Sequence, residues 1–588
     1  MSLDGIVTRA IVEELKDNIL GGRIDKIYQQ EKDVILINIY NKGKNNRLLI
    51  SASSNNPRIY LTDYTKPNPP SPPMFCMLLR KHLSGGIILN IEQLYLDRVI
   101  FIDISSLDEL GQPSVKRLIV EIMGKYSNII LIDKESSTVI DSIKRVTQDM
   151  SRVREILPGN KYEYLLQNKE NPLNLVEEKF VKLLNEDNDS KQIYKFFYTN
   201  YMGLSPLISK EICFLSDIDI DRPLGSLNSK DKEKLFNSFK TLTNKIRDKD
   251  FSPVLIKDSH GKDYISFHAL DINQFGNCNK EYSDSISKIL DKYYIKKDTI
   301  DRVSQKSQSI KKSVQVKFER SVNKLSKLKE ELLESQDREK YKIYADLISA
   351  NLYRIEKGLD EVELENFYSE NLEKIKVPLD SRYSPVENAQ RYYKKYSKLK
   401  KANKLLLEQI AQTEEEINYL ENVLNSIDNC TEVIELEEIK EELVKEGYLK
   451  GNIKKSNKKI NSKPHHYISS EGHHIYVGKN NKQNDFLTLK YAHREDLWFH
   501  VQKMPGSHVI VRVENREVSN KTIEEAAILA AYYSKGKNST NVAVDYTKRK
   551  NVRKPKNARA GMVIYDNYNT IFVTPSKERI INIKKVDD

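Results

Sequence analysis

The sequence predicts an α+β protein of several domains: an N-terminal α/β domain, a helical region, a long antiparallel coiled-coil arm and a C-terminal α/β domain. Three observations support this fold class. The chain has 588 residues, more than a single hydrophobic core organises. Apolar residues recur at steps of three and four between residues 303 and 446, which indicates long amphipathic helices. Short runs before residue 150 and after residue 465 alternate apolar and polar residues, as half-buried strands do.

The composition favours a partner that is rich in negative charge. Lys and Arg number 96 against 84 Asp and Glu, which gives a net charge of +12. The four cysteines lie far apart and form no CxxC pair, so we expect neither zinc nor disulfides, and a reducing compartment. The N-terminus lacks a signal-peptide pattern, and no apolar run reaches the ~18–20 residues of a membrane span. We therefore expect a cytoplasmic protein with no membrane contact.

The N-terminal α/β domain is predicted over residues 1–155. A first helix is followed by strand-like runs, and the prolines of residues 66–73 predict an extended connector. Asp97 and Arg98 lie between two strands, and Glu121, Ile122 and Met123 end another. By pattern alone, Asp97 and Arg98 are interpreted as a turn ion pair whose side chains face solvent.

Residues 156–300 are predicted to be a helical region with a small β insertion near residues 253–282. Residues 203–206 (GLSP) lie between two short helices, as in a helix-hairpin-helix motif. Such a turn directs backbone amides at phosphate oxygens. An ordinary helix–turn–helix junction explains the same short pattern, so both interpretations stay open.

The coiled-coil arm is predicted over residues 301–450. Pro378 and Pro385 separate its two apolar stripes, because proline lacks the amide donor that a helix interior needs. About 45 residues at 1.5 Å each give an arm of roughly 70 Å. The alternative is a solvated helix pair in a bundle, which the sustained repeat disfavours. Ser384 and Glu387 predict a capping box, and the basic, tyrosine-rich residues 391–396 are interpreted as a solvated face rather than an RNA contact.

A basic linker over residues 451–464 leads to the C-terminal α/β domain, which is predicted over residues 465–588. The stretch between Tyr546 and Ala560 carries positive charges and no acid. Because it lies between strands and has no helical stripe, it predicts a loop that contacts phosphates. Its basic residues are Lys548, Arg549, Lys550, Arg553, Lys554, Lys556 and Arg559.

Motifs for catalysis or for a cofactor are missing from the sequence. It contains no P-loop, no GxGxxG after a strand, no GxSxG and no HExxH. His493, His500 and His508, with Asp496 nearby, invite comparison with a metal site, but their spacing matches no zinc signature. Histidines beside a Pro-Gly turn more often bond the backbone or RNA. We predict no catalytic residue, no metal and no cofactor.

Two motifs of the C-terminal domain resemble the RNA-binding signature of the NFACT family. They are residues 496–500 (DLWFH) and 505–509 (PGSHV). Residues 478–485 and 544–547 resemble the same signature, and residues 379–390 resemble the family's mid-coil motif, so that the resemblance covers nearly the whole chain. It implies that rRNA or tRNA is bound by Asp496, Trp498, His500, Pro505, Gly506, Ser507, His508, Lys548, Arg549, Lys550, Arg553 and Lys554.

The resemblance also implies a function in ribosome quality control. Members of the family bind large ribosomal subunits obstructed by peptidyl-tRNA, recruit alanyl-tRNA and support untemplated alanine tailing of the nascent chain for degradation. Peptide-bond formation belongs to the ribosome, so the resemblance implies a tRNA-positioning protein and not an enzyme. It assigns tRNA binding to Asp97, Arg98, Glu121, Ile122 and Met123. The implied partners are the large subunit with its rRNA and proteins, tRNA of the alanine type, the peptidyl-tRNA nascent chain and a small S4-like RNA-binding protein.

Two other functions are disfavoured by the sequence. The family's N-terminal domain is similar to that of formamidopyrimidine-type DNA glycosylases, but those enzymes need an N-terminal proline and a zinc finger. Residue 2 is serine, and the sequence has no CxxC pair. A surface fibronectin-binding adhesin needs an export signal, which the N-terminus does not resemble.

Overall fold

The structure is a computed structural model that describes residues 3–107, 111–164, 168–259, 261, 263–276, 278–451, 462–514, 516–556, 558–581 and 583–586. Most of the predicted basic linker lies outside the described residues. The chain divides into two units, Met1–Asp298 and Thr299–Asp588. In the part of the chain that the structure describes, no helix is long and apolar enough to cross a lipid bilayer.

The first unit begins with a capped helix followed by two antiparallel sheets. Helix α1 (Gly5–Ile19) starts at Gly5 because Asp4 Oδ1 accepts the amide hydrogens of Ile6 and Val7, both at 3.0 Å. Its apolar face shares one core with both sheets and with helix α2 (Met74–Leu83). Each sheet pairs its strands in chain order. The first sheet contains β1 (Arg23–Glu31), β2 (Val34–Asn41), β3 (Lys44–Ser51) and β4 (Arg58–Leu61); the second contains β5 (Ile88–Gln93), β6 (Val99–Leu107), β7 (Pro113–Glu121), β8 (Asn128–Asp133) and β9 (Val139–Ser142).

The alternating runs of the N-terminal sequence predicted strands β1 to β8. Strand β9 was not predicted, because two of its four residues are the polar Asp141 and Ser142, which are both buried and so give no alternating pattern. The proline-rich residues 66–73 form neither helix nor strand, as expected.

Short helices and a small sheet complete the first unit. Phe180, Phe197 and Phe239 meet in their shared core, with ring centroids 5.3–6.3 Å apart. The predicted pair of short helices around residues 203–206 is present as α4 and α5. The elements are α3 (Glu177–Glu186), α4 (Ile193–Asn200), α5 (Pro206–Leu215), α6 (Ser229–Arg247), β10 (Val254–Lys257), β11 (Tyr264–His268) and β12 (Lys280–Tyr282).

Helix α7 (Ile286–Gln336) is 51 residues long and begins in the first unit. Its start is tied to α1, because the Ser287 amide donates to Glu14 Oε2 at 3.1 Å. Arg58 on β4 donates to Asp298 Oδ2 at 2.6 Å. These contacts fix the first turns of α7 on the N-terminal sheet.

The second unit contains the two predicted stripes and a β-hairpin that was not predicted. Helix α8 (Arg338–Ala350) packs against α9 (Pro385–Asp428). Strands β13 (Glu361–Glu365) and β14 (Lys374–Pro378) pair between them, and their apolar residues join the core of α8 and α9. The sequence indicated only a break here, because each strand is short and rich in charge. The predicted capping box of Ser384 and Glu387 is present at the start of α9.

Helix α10 (Val433–Lys445) is separate from α9, a break that was not predicted within the arm of residues 301–450. The break is stabilised by Glu435, whose Oε2 accepts the amides of Thr431 at 2.7 Å and Glu432 at 3.1 Å. Helix α10 packs its apolar face on the end of α9 in one core.

The C-terminal domain is built on a seven-stranded antiparallel sheet with the strand order β22-β19-β17-β18-β16-β15-β23. Helix α12 covers one face of the sheet. Residues 487–492 and the short β20–β21 pair cover part of the other face. The elements are β15 (His465–Ile468), β16 (His474–Val477), α11 (Asn481–Phe486), β17 (Leu497–Val501), β18 (Val509–Val511), α12 (Asn520–Tyr532), β19 (Val542–Lys548), β20 (Val552–Arg553), β21 (Ile564–Tyr565), β22 (Asn569–Val573), α13 (Lys577–Ile581) and β23 (Lys584–Lys585).

Candidate nucleic-acid interface

Asp97 lies in the turn between β5 and β6, and only 1% of the residue is exposed. Its Oδ1 accepts the Arg98 amide at 2.7 Å, and its Oδ2 accepts the Tyr164 hydroxyl at 2.7 Å. Burial and the hydrogen bond to Asp97 raise the pKa of the Tyr164 hydroxyl still further above neutral pH. The expectation of a solvent-facing Asp97 is wrong. This carboxylate is a buried acceptor that fixes the turn.

The side chain of Arg98 is half-buried and lines a cavity of about 230 Å³. Lys169 lines the same cavity, where its Nζ donates to the Tyr198 carbonyl at 2.8 Å. Burial and the charge of Arg98 lower the pKa of Lys169. The carboxylates of Asp4 and Asp97 line the same cavity and offset part of this positive charge, so Arg98 and Lys169 are the two groups there that suit an anionic group such as a phosphate. The other lining residues are Leu3, Asp4, Asp97, Tyr198, Gly203, Leu204, Ser205 and Pro206.

The cavity brings together two segments that the sequence did not connect: the Asp97 turn and the turn at residues 203–206. Gly203 has a φ of +74°, and a Cβ there would lie 2.0 Å from the Leu96 carbonyl oxygen. Gly5 is equally constrained, since its Cβ would lie 1.9 Å from the same oxygen. The Gly5 amide donates to the Gly203 carbonyl at 2.8 Å. Glycine at both positions therefore allows the close approach of the two turns.

Asp4 links the start of α1 to the start of α5, which lies beside the same cavity. Its Oδ2 accepts the Ser205 hydroxyl at 2.6 Å and lies 3.3 Å from His268 Nε2. Burial alone would raise the pKa of Asp4, but His268 and the hydrogen bonds from Ser205 and the α1 amides lower it below its ordinary value. Ser205 and His268 bond the same carboxylate oxygen, so the histidine is not placed to take a proton from the serine. The cluster positions two helices and lacks the geometry of a nucleophile with its base.

Residues 121–123 lie directly beneath the Arg98 turn. The Ile122 amide donates to the Arg98 carbonyl at 2.9 Å, and Glu121 Oε1 accepts the Tyr162 hydroxyl at 2.8 Å. Glu121 and Ile122 are buried, whereas Met123 is half-buried. Glu121 and Asp97 thus hold two hydroxyls of the same segment, at residues 162 and 164. Tyr162, Tyr164 and Lys169 were not found from the sequence, because a polar stretch without periodicity gives no signal of such contacts.

Of the predicted residues of the 496–500 motif, Asp496 and Trp498 lie in the interior of the C-terminal domain and His500 is half-buried. Trp498 is fully buried and Asp496 is 2% exposed. Asp496 accepts the amides of His493 at 2.7 Å and Val513 at 3.0 Å. The ring of His500 stacks on Trp498 with centroids 5.8 Å apart. Among the described residues, no three His, Cys, Asp or Glu side chains converge as metal ligands.

The predicted residues 505–508 are buried as well. His508 Nδ1 lies 2.7 Å from Thr488 Oγ1, and the His508 amide donates to Asn484 Oδ1 at 3.1 Å. Burial lowers the pKa of His508 and also that of His500, so both rings stay neutral near pH 7. Pro505, Gly506 and Ser507 are buried beside them.

Signature segments of this domain also dock it on α9 and α10 within the second unit. The Gly506 amide donates to Asn422 Oδ1 at 3.2 Å. Asn481 Nδ2 donates to Glu442 Oε1 at 3.0 Å, and burial raises the pKa of that carboxyl. Two further contacts of this kind join Asn480 to Glu438 and Lys479 to Glu435.

The predicted basic loop is folded against acids from other segments. Lys548 and Lys550 both pair with Glu495, at 2.8 and 2.9 Å, and these bonds lower the pKa of Glu495 to about 2. The side chain of Lys548 is 52% exposed and that of Arg553 is 71% exposed, so phosphates can reach both. The other contacts are from Arg549 to the Thr488 carbonyl, from Arg553 to Asp566 and from Lys554 to Asp485.

The chain is similar to a bacterial protein over its whole length and to other proteins over part of it. The chain is 39% identical over 593 residues to the Rqc2 homolog RqcH of Bacillus subtilis (strain 168), with 100% of both chains covered. It is 25% identical over 378 residues to the human ribosome quality control complex subunit NEMF, covering 60% of this chain and 33% of that one. A solved structure, the fibrinogen binding protein from Staphylococcus aureus, aligns with a TM-score of 0.43 and 32% identity, covering 50% of this chain and 99% of that chain.

Family matches cover nearly the whole chain. The NFACT N-terminal and middle domains match residues 4–462, and the NFACT protein RNA binding domain matches residues 463–566. These matches and the full-length bacterial relative lead to one conclusion: the chain belongs to the NFACT family.

Proposed function

We propose that this NFACT protein acts in ribosome quality control, by recruiting tRNA to large ribosomal subunits that are obstructed by peptidyl-tRNA. The names of two relatives support this: one is an Rqc2 homolog, and the other is a subunit of the ribosome quality control complex. The recruited tRNA is of the alanine type. Its use by the ribosome adds untemplated alanines to the C-terminus of the nascent chain, which marks that chain for degradation.

The observation that carries the tRNA assignment is the cavity shared by Arg98, Lys169 and residues 203–206. A guanidinium group offers a planar, permanently charged fork that matches a phosphate. Lys169 adds a second cation at the same place, and the start of α5 adds a partial positive charge. Asp97 accepts the Arg98 amide, the Ile122 amide donates to the Arg98 carbonyl, and Glu121 holds Tyr162 beside them. We therefore assign tRNA contact to Arg98 and Met123 and a positioning role to Asp97, Glu121 and Ile122.

The protein positions tRNA, and the ribosome forms the peptide bond. The Asp4, Ser205 and His268 cluster has the geometry of a helix junction and not that of a catalytic base with its nucleophile. The structural role of this cluster is consistent with a protein that binds and positions tRNA and leaves the chemistry to the ribosome.

We further propose a division of the chain into five parts. Residues 1–155 form the NFACT-N domain, 156–300 the helix-hairpin-helix-like region, 301–450 the arm, 451–464 the linker and 465–588 the RNA-binding domain. The large subunit, with its rRNA and proteins, is bound by the arm and by three exposed cations, Lys548, Lys550 and Arg553. A small S4-like RNA-binding protein is a further partner in the same complex.

Sequencing the RNA that co-purifies with the full-length protein tests this function. We expect rRNA of the large subunit and tRNA enriched in alanine acceptors. Binding should weaken steeply with salt. In a plot of the logarithm of the binding constant against the logarithm of the salt concentration, each phosphate contact should steepen the negative slope by roughly 0.7–0.9. Equal recovery of both ribosomal subunits, or RNA binding that is indifferent to salt, would contradict the proposal.

A further inference from the structure

One end of the C-terminal sheet carries a group of aromatic side chains on the face opposite α12. Residues alternate between the two faces of each strand. Tyr467, Ile475 and Val477 pack under α12. Their neighbours His466, His474 and Tyr476 therefore point to the other face, where they are half-buried.

The rings on this face are arranged for stacking. His466 and Tyr476 lie directly opposite each other on β15 and β16, and their rings are nearly parallel at 9°, with centroids 4.5 Å apart. Tyr491 meets Tyr476 edge-on at 5.0 Å. Phe486 lies 6.2 Å from Tyr491 and is 47% exposed. We call His466, Tyr476 and Tyr491 the aromatic platform.

One cation and one hydrogen bond hold the aromatic platform in place, and a second cation lies on the neighbouring edge strand. The Arg512 guanidinium lies over the Tyr491 ring at 5.2 Å and is oriented by Asp496, at 3.0 Å from its Nε. His466 Nε2 lies 2.8 Å from His474 Nδ1. Lys584 on the edge strand β23 pairs with Ile468, which shares the face of His466, and Lys584 is exposed.

We propose that the aromatic platform binds unpaired RNA nucleotides by base stacking, with Arg512 and Lys584 close to the RNA backbone. The proposal rests on the proposed function, because RNA is the ligand that this function requires. A sheet face that offers flat rings beside cations is a common way to hold unpaired bases. Duplex RNA hides its base faces, so a loop, a bulge or a single-stranded end is the form that fits.

RNA explains this surface better than a protein partner does. The rings carry polar edges in His466, His474 and Tyr476, and a cation flanks them at Arg512. A protein-docking patch would instead present a wider apolar area. Tyr476 and Tyr491 pack against the core that contains Trp498, so the aromatic platform is the half-buried edge of that core, whereas Trp498 itself is fully buried.

The test measures binding of a fluorescein-labelled single-stranded RNA of about twelve nucleotides to the full-length protein at pH 8, by fluorescence anisotropy. The double variant His466→Ala/Tyr476→Ala should bind roughly tenfold or more weakly, because stacking on an aromatic side chain dominates such contacts. The salt dependence should stay unchanged, because no phosphate contact is lost. Tyr476→Phe keeps the ring and should bind within about twofold of the wild type.

The matched control is Phe572→Ala, which removes a 61%-exposed ring from β22 at the other end of the sheet and should not change the affinity. Far-UV circular dichroism and a urea unfolding curve report whether each variant is folded, because Tyr476 packs against the core that contains Trp498 and its removal alters the surroundings of that tryptophan. An unchanged affinity in a folded double variant would overturn the proposal. So would normal RNA binding with loss of large-subunit binding, which would identify a protein contact instead.

If the double variant fails to fold, photo-crosslinking of the wild-type protein to 4-thiouridine-labelled RNA decides the matter. Crosslinks to residues 466–476 and 486–491 support the aromatic platform, whereas crosslinks confined to residues 548–554 overturn it. If the wild-type protein binds large subunits but not the labelled RNA, that result contradicts RNA binding by the aromatic platform and leaves the proposed function standing. A protein that binds neither overturns the proposed function as well.

Discussion

The hydroxyl of Tyr164 donates to Asp97 Oδ2 at 2.7 Å, across 67 residues of sequence. This bond fixes the buried carboxylate that holds the Arg98 turn, and the neighbouring Tyr162 makes the matching bond to Glu121. Asp97 and Arg98 both line the cavity, but the Asp97 carboxylate is buried and engaged as an acceptor, whereas the Arg98 side chain is half-buried. Loss of Asp97 and loss of Arg98 should therefore have different consequences.

Asp97→Ala should lower the free energy of unfolding by about 1–3 kcal/mol, because the Tyr164 hydroxyl and the Arg98 amide lose a buried acceptor. Arg98→Ala should cost less, about 0–1 kcal/mol, because its half-buried side chain reaches the cavity. Urea unfolding followed by circular dichroism compares the two variants. Equal destabilisation would contradict the separation of a positioning residue from a contact residue.

Asp4→Asn should weaken the junction of α1 and α5 in a manner that depends on pH. The pKa of Asp4 is lowered in the folded protein, so its carboxylate adds stability above the unfolded pKa of about 3.9 and loses it as pH falls through the folded pKa. The gap in unfolding free energy between wild type and variant should be constant above about pH 5 and should shrink below about pH 4. Hydrogen exchange of the α1 and α5 amides, measured over a series of pH values, gives this difference in free energy. A gap that widens in acid would contradict this sign.

Glu442→Gln should leave the docking of the C-terminal domain on α10 intact or strengthen it slightly at pH 8. Burial raises the pKa of Glu442, so its contribution is present at low pH and is lost as pH rises through the folded pKa. The glutamine amide still accepts hydrogen bonds from Tyr419 and Asn481. Unfolding followed by Trp498 fluorescence should show that the benefit of the substitution grows with pH. A loss above about 2 kcal/mol at pH 8 would show that the ionised carboxylate is needed.

Replacing residues 345–390 by a short turn should leave both units folded and should keep tRNA binding. The deletion removes the β13–β14 hairpin and the ends of α8 and α9 that pack on it, far along the sequence from the Arg98 cavity. Large-subunit association should fall, which co-sedimentation measures. If large-subunit association is unchanged by the deletion, the arm is only a linker and makes no contact that the association needs.

Strand alternation and helical periodicity predicted most regular elements, because those patterns are local. The β13–β14 hairpin escaped prediction since its short strands mix charge with few apolar residues. Contacts between residues far apart in the sequence were not predicted at all. No local pattern shows that Tyr164 contacts Asp97, or that Lys169 and Arg98 line the same cavity. The same limit explains the basic loop, whose partners Glu495 and Asp485 come from distant segments.

The motif residues around Trp498 and His508 show a second limit of inference from sequence. A family signature indicates that residues are needed, but it does not separate burial from contact with a ligand. Here Trp498 and His508 are interior residues, whereas the exposed cations and the aromatic platform lie at the surface of the same domain.

The most direct test of the central claim compares Arg98→Ala with Arg23→Ala in a reconstituted alanine-tailing reaction on obstructed large subunits. Arg23 is a matched control, since it lies in the same unit and its side chain is 63% exposed. We expect Arg98→Ala to bind large subunits normally but to lose co-purifying tRNA and alanine tails, and Arg23→Ala to keep all three. Full tailing by a folded Arg98→Ala protein would contradict the assignment of tRNA recruitment to the cavity that Arg98 lines.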